Sequence, residues 1–127
     1  MERGIEVFAA INLLAAGLSH AFAPTAWKEF FTVLHAKGLA GSIFNALLAL
    51  GMGSLIVAFH PVYDRPVPAL LTIYGWASVA KGSVFLVFPA LGLKSIETPT
   101  RKGPRLFIVP GVLMATLGAA LLVYPWF

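Results

Sequence analysis

The residue best placed to do chemistry in this 127-residue chain is a lysine in apolar surroundings. In "GWASVAKGSVFLVFP", residues 75–89, Lys81 has at least ten uncharged residues on either side before the next charge. An ammonium in such a run has three readings. It snorkels or pairs with an amide as a structural group, it answers an anion on a partner, lipid or ligand, or it titrates during transport. The residues available to it are few. Asn12 and Asn45 are expected within a turn or two of its depth, each offering a side-chain carbonyl, and His20 about one turn away. Tyr74 lies on its helical face. Glu6 is expected near the outer surface, out of reach. With no carboxylate at matching depth, the anion for a charged Lys81 must come from outside the chain. Lys81, Asn12, Asn45, His20 and Tyr74 are therefore the candidate ligand, ion or partner contacts.

Other chemistry finds little support. A bis-histidine haem needs two histidines at one depth on facing helices. Only His20 and His35 share a side, and His35 is expected at the headgroups. His60, before Pro61, reads as an interfacial histidine without a special role. Absent cysteines exclude disulfides and thiolate metal sites. "GMGSL", residues 51–55, superficially resembles a phosphate loop or nucleophile turn, but it falls inside a hydrophobic span and reads as a packing element. No acid–base pair shares a depth, so the expectation is no enzyme, no metal and no cofactor.

The elements that must position these residues are set by composition. Hydrophobic residues make up 59% of the chain and charged ones 11%, and the mean hydropathy is +0.88. A soluble domain carries roughly a quarter charged residues. The apolar residues fall in four blocks, about 5–23, 39–59, 67–91 and 106–124. Each approaches the ~20 residues a helix needs to cross a bilayer. The first block could be mistaken for a signal peptide, with Ala21-Phe22-Ala23 as a cleavage site. Glu2 and Glu6 beside Arg3 spoil the positive flank, and the block is kept as a span. The expected fold is all-α: a four-helix transmembrane bundle forming one membrane domain over residues 1–127.

The net charge of +4 does not point to nucleic acid, because its location follows membrane topology. Lys28, Lys37, Lys94, Arg101, Lys102 and Arg105 sit in alternate connections, against Arg3 and Arg65 on the other side. Basic loops mark the cytoplasmic face. Both termini are thus expected in the periplasm of a bacterial inner membrane, with the basic loops touching anionic lipid.

The halves share a pattern. At an offset of 65 residues Gly17 and Pro24 align with Gly82 and Pro89, and Lys37-Gly38 with Lys102-Gly103. With one deletion Pro61 meets Pro125. This predicts two parallel hairpin repeats, about 1–62 and 67–127, around an axis along the membrane normal. Lys81 then stands opposite Ala16, so its role is not repeated. Between the first two spans, Trp27, Phe30, Phe31 and Leu34 share one face of a short helix, predicted to lie in the interface as an anchor, with Thr25 as a cap. The corresponding "ALGLKSIETPT" is expected to be broken by Pro99.

Leucine burial cannot drive helices together in lipid, so small residues must allow close approach. The predicted stripes are Asn12, Ala15, Ala16, Ser19 and Ala23; Ser42, Asn45, Ala46, Ala49 and Gly53; Gly75, Ser78 and Gly82; and Gly111, Ala115 and Gly118. Four such stripes imply a bundle with little internal volume.

The stretch "GSLIVAFHPVYDRPVPALLTIYGWASVAKGSVFLVFP" resembles a group of small four-helix bacterial integral membrane proteins. The marks are His60, Val62, Thr72, Gly75, Trp76, Lys81, Gly82 and Pro89, with "AAGLSHAFAP" similar in the first span. The group has no established activity, so the resemblance implies the fold and a bacterial inner membrane but no substrate. Pro61, Asp64, Arg65 and Pro66 depart from the Asn-x-Trp pattern expected in the outer turn. The leading expectation is an accessory or assembly subunit, or a homo-oligomeric packing module. The alternative is a small transporter or channel using Lys81 with Asn12, Asn45 and His20.

Overall fold

The computed structural model describes residues 2–124, with side chains at 3–97 and 102–124. Helices α1 (Glu2–Phe22), α3 (Leu39–Phe59), α4 (Pro66–Val87) and α6 (Ile108–Val123) form the bundle. Two shorter helices, α2 (Pro24–Ala36) and α5 (Pro89–Lys102), cover one end, and a 3₁₀ turn (Pro104–Phe107) leads into α6. Four segments are long and apolar enough to cross a membrane: Arg3–Phe22, Leu39–Phe59, Pro66–Val87 and Pro104–Val123. This architecture is compatible with a small integral membrane protein.

Proline and glycine punctuate the chain. Pro24, Pro66, Pro89 and Pro104 each open a helix, where a missing N–H removes no bond. Arg65 is extended before Pro66, as a residue preceding proline prefers. The lysine–glycine pairs recur for a backbone reason: Gly38 and Gly103 have φ of 64° and 102°, which disfavour a side chain.

Several expectations change here. The third apolar block does not run on to residue 91. Pro89 starts a new helix after Phe88, so α4 ends at Val87. The stretch after it is helical through position 99 to Lys102, not broken there. Thr25 caps nothing: Ala23 is the N-cap of α2 and no side chain bonds to that end. Pro125 and the side chain of Arg101 lie outside the described residues.

The spans pack as two antiparallel pairs, α1 with α6 and α3 with α4, by close backbone approach. A Cβ on Gly53 would lie 2.7 Å from both Gly75 O and Val79 N, and one on Gly118 would lie 2.7 Å from Ala10 O and 2.6 Å from Leu14 N. Gly82 abuts Leu50 N and Gly17 abuts Ala115 N. Each position in one pair lies 65 residues from its counterpart in the other.

The face of α1 turned to α6 therefore runs through Ala10, Leu14, Gly17 and Ala21. The predicted stripe through Asn12 and Ala15 points elsewhere, and both residues are exposed on the bare protein. On α4 and α6 the stripes Gly75, Ser78, Gly82 and Gly111, Ala115, Gly118 sit at the contacts. On α3, Gly53 does so; Ala46 is buried and Ala49 half-buried. The two pairs do not close on one another completely, and internal volume remains between them.

Candidate functional site

That volume holds most of the predicted contacts. A cavity of about 420 Å³ lies between the pairs, with Asn12 and Ala16 from α1, Ile56 from α3 and Met114 from α6 in its wall. A neighbouring groove of about 380 Å³ runs between α3 and α4 and is lined by Asn45, Ala49, Ser78 and Lys81. Leu48, Met52 and Tyr74 line both, so the two spaces are contiguous. The expectation of little internal volume is thereby corrected: glycines seal each pair but not the seam between pairs.

Lys81 stands on the exposed lip of this crevice. It is six residues from Val87, so its Cα lies ~9 Å below the α2/α5 end of α4. Counting the apolar run on to residue 91 would place it deeper, but residues 88–91 are not part of α4. Neither Lys81 nor Asn45, Tyr74 or Ser78 makes a side-chain hydrogen bond or ion pair with a described residue. Asn12 donates Nδ2 to Phe8 O at 2.9 Å, leaving its carbonyl oxygen unused. Four polar side chains without partners thus converge on one lateral opening, and all four can donate a hydrogen bond.

His20 does not join them. Its Nδ1–H donates to Ala16 O at 2.7 Å, and its ring stacks on Trp27 at 3.9 Å between centroids. Trp27 donates Nε1–H to Ser19 Oγ at 2.8 Å and forms part of the cavity wall. Phe30 packs edge-on to Trp27, and Phe31 stacks on Phe107 at 5.6 Å. Leu34 is buried. The aromatic face read as a lipid anchor is turned onto the bundle, where it covers one end of the seam.

A second polar cluster, at the opposite end, was not recognised in the sequence. Glu6 is 2% exposed, and His60 and Thr72 are fully buried. His60 Nε2 lies 3.0 Å from Glu6 Oε1, and His60 Nδ1 lies 2.9 Å from Thr72 Oγ1. Thr72 donates its hydroxyl to His60 O at 2.9 Å, so Nδ1–H is the donor to Thr72. One proton then lies between Nε2 and the carboxyl of Glu6, giving either an imidazolium facing a carboxylate or an imidazole facing a carboxylic acid.

Arg3 closes the cluster. Its Nη1 is 3.3 Å from Glu6 Oε2 and donates to Leu121 O at 2.7 Å, while Nη2 donates to Leu122 O at 3.2 Å. A cation at the last carbonyls of α6 opposes the helix dipole and satisfies orphan acceptors. The cluster links the ends of all four spans. The signal for it was positional: in an antiparallel bundle the start of α1 and the end of α3 share a face, so Glu6 and His60 are candidates to meet.

Every buried side-chain nitrogen or oxygen among the described residues has a hydrogen-bond partner. Among the same residues no group of three or more histidine and carboxylate side chains is placed to hold a metal ion. No protein-family description, curated protein or solved structure matches this chain.

Proposed function

We propose that this small integral membrane protein is an accessory or assembly component, whose task is association within the bilayer rather than catalysis, and that the Lys81 crevice is its contact. One contrast carries the reading. The chain satisfies Glu6, His60, Thr72 and Arg3 internally, yet leaves Lys81, Asn45, Ser78 and Tyr74 unpartnered together on a lateral opening. Retaining such groups in an apolar setting is costly unless something answers them. Glu6, the carboxylate within the spans, is enclosed at the opposite end and is not open to the Lys81 of a second copy. An anionic group from another molecule fits better.

The basic connections support a bacterial inner-membrane topology with the α2/α5 end cytoplasmic and both termini periplasmic. The matching glycine contacts, 65 residues apart, support duplication of a hairpin. In that scheme α1 corresponds to α4 and α3 to α6, and each tight pair joins one helix from each repeat. Helices α2 and α5 are corresponding interfacial elements. A transport role for the same crevice is the second reading, favoured by the internal volume that joins Asn12 to Lys81.

The test is native mass spectrometry after gentle extraction from the producing membrane. Wild type and Lys81→Arg are expected in a larger assembly, and Lys81→Met as a released single chain with unchanged helix content. An assembly unaffected by Lys81→Met would overturn the association reading.

A further inference from the structure

The crevice is amphiphilic along its length, and its two parts ask for different chemistry in one occupant. At the groove, the ammonium of Lys81, the amide of Asn45 and the hydroxyls of Ser78 and Tyr74 present donors without partners. They suit a group rich in acceptors and negatively charged. Beyond the shared wall of Leu48, Met52 and Tyr74, the larger cavity is almost entirely alkyl and aromatic, bounded by Ala9, Leu13 and Ile56. At about 420 Å³ it falls within the ~300–1,000 Å³ range of small-molecule sites.

We propose that the crevice binds one anionic phospholipid of the leaflet on the α2/α5 side, with its phosphate at Lys81 and an acyl chain in the cavity between the helix pairs. Phosphodiester and ester oxygens only accept hydrogen bonds, which matches a set of groups able to donate. A lysine rooted ~9 Å below the helix end can extend its stem toward the headgroup region. The alkyl cavity then takes the chain, which a transmembrane helix from a partner protein is too broad to enter. At ~10–12 Å across, such a helix could only cover the mouth.

The internal likeness of the halves sharpens this. The position corresponding to Lys81 is Ala16, and the position corresponding to Tyr74 is Ala9. Both alanines line the deeper, apolar part of the same crevice. Lys81 and Tyr74 thus have no polar counterpart in the first half, so a single site is expected rather than two.

This inference rests on the reading that the Lys81 crevice is the functional contact, and the experiment separates the two. Purified protein is delipidated and incubated with phosphatidylglycerol or phosphatidylcholine of the same chains, and adducts are counted by native mass spectrometry. Wild type is expected to hold one lipid, with phosphatidylglycerol preferred ~10-fold, because the choline cation of phosphatidylcholine offsets the phosphate charge that Lys81 meets. Lys81→Met should abolish that preference, and Lys81→Arg should keep it. Leu48→Trp, at a half-exposed position lining both spaces, should lower the occupancy of both lipids.

Equal binding of the two lipids by wild type would overturn the lipid proposal, as would a preference that survives Lys81→Met. If the preference survives while Lys81→Met disperses the native assembly, the lipid inference falls and the association reading stands. If the preference is lost and the assembly persists, the reverse holds.

Discussion

Glu6 and His60 are the residues at which this bundle commits most to a single arrangement. Removing one partner from an enclosed pair leaves the other unanswered, at a cost of about 3–5 kcal/mol, whereas removing both can be nearly neutral. His60→Leu strands the Glu6 carboxyl with Arg3 alone. It is expected to destabilise the fold by that order in detergent–SDS unfolding titrations. The double variant Glu6→Leu with His60→Leu should be less destabilised than the two single effects added together, by 1 kcal/mol or more. Simple additivity would mean that the 3.0 Å contact contributes nothing specific. At this scale the sequence was half legible. Lys81, Asn12, Asn45 and Tyr74 could be grouped because their depths follow from counting along helices. Glu6 and His60 could not be paired, because depth gives an end of the bundle and not the rotation of each helix about its axis. Several residues singled out in the sequence acquire local reasons: His60 and Thr72 bond each other, Val62 is buried, and Gly75 and Gly82 admit the neighbouring helix.

Glycines decide how the helices pair, and they are not equivalent. A Cβ on Gly82 would lie 2.6 Å from Leu50 N and 2.8 Å from its Cα, whereas Gly51 has nothing within 4 Å. Gly82→Ala must therefore push α3 and α4 apart, an overpacking cost of about 1–3 kcal/mol. Gly51→Ala meets open space and gains helix propensity of about 0.5–1 kcal/mol. The same SDS titration, run on both variants, is expected to show opposite signs; a similar gain for each would mean that propensity, not fit, governs these helices. The helices themselves were evident from apolar block length. What the blocks concealed was the bend at Phe88–Pro89, since the apolar run continues through it, and the packing face of α1. Ala15 and Ala16 are as small as Ala10 and Gly17, so composition could not choose between two stripes on one helix. The backbone contacts at Gly111, Ala115 and Gly118 make that choice.

At the scale of the whole molecule, two pairs of helices meet at a seam, one end of it covered by Trp27 and its aromatic neighbours and the other tied by Arg3, Glu6, His60 and Thr72. Sealed pairs and an open seam are what the proposed hairpin duplication would produce, with small residues serving the contact between repeats. The seam was not foreseen, because counting small residues says how closely two helices approach and not how four of them share space. The proposed orientation across the membrane rests on charge alone. Lys28, Lys37, Lys94, Lys102 and Arg105 lie at the α2/α5 end, against Arg3 and Arg65 at the other. Arg3 is moreover 3.3 Å from the Glu6 carboxyl, which offsets part of the opposing charge. The absence of cysteine makes this directly measurable with single introduced thiols. Ala36 ends α2 and is exposed, and Asp64 is exposed in the opposite turn. In intact bacterial cells Asp64→Cys should react with a membrane-impermeant maleimide, and Ala36→Cys only after permeabilisation. The converse pattern would place the basic helices outside. The lipid site beside Lys81 would then have to draw on the other leaflet, and the adduct experiment on purified protein would stand while its assignment to the cytoplasmic side would not.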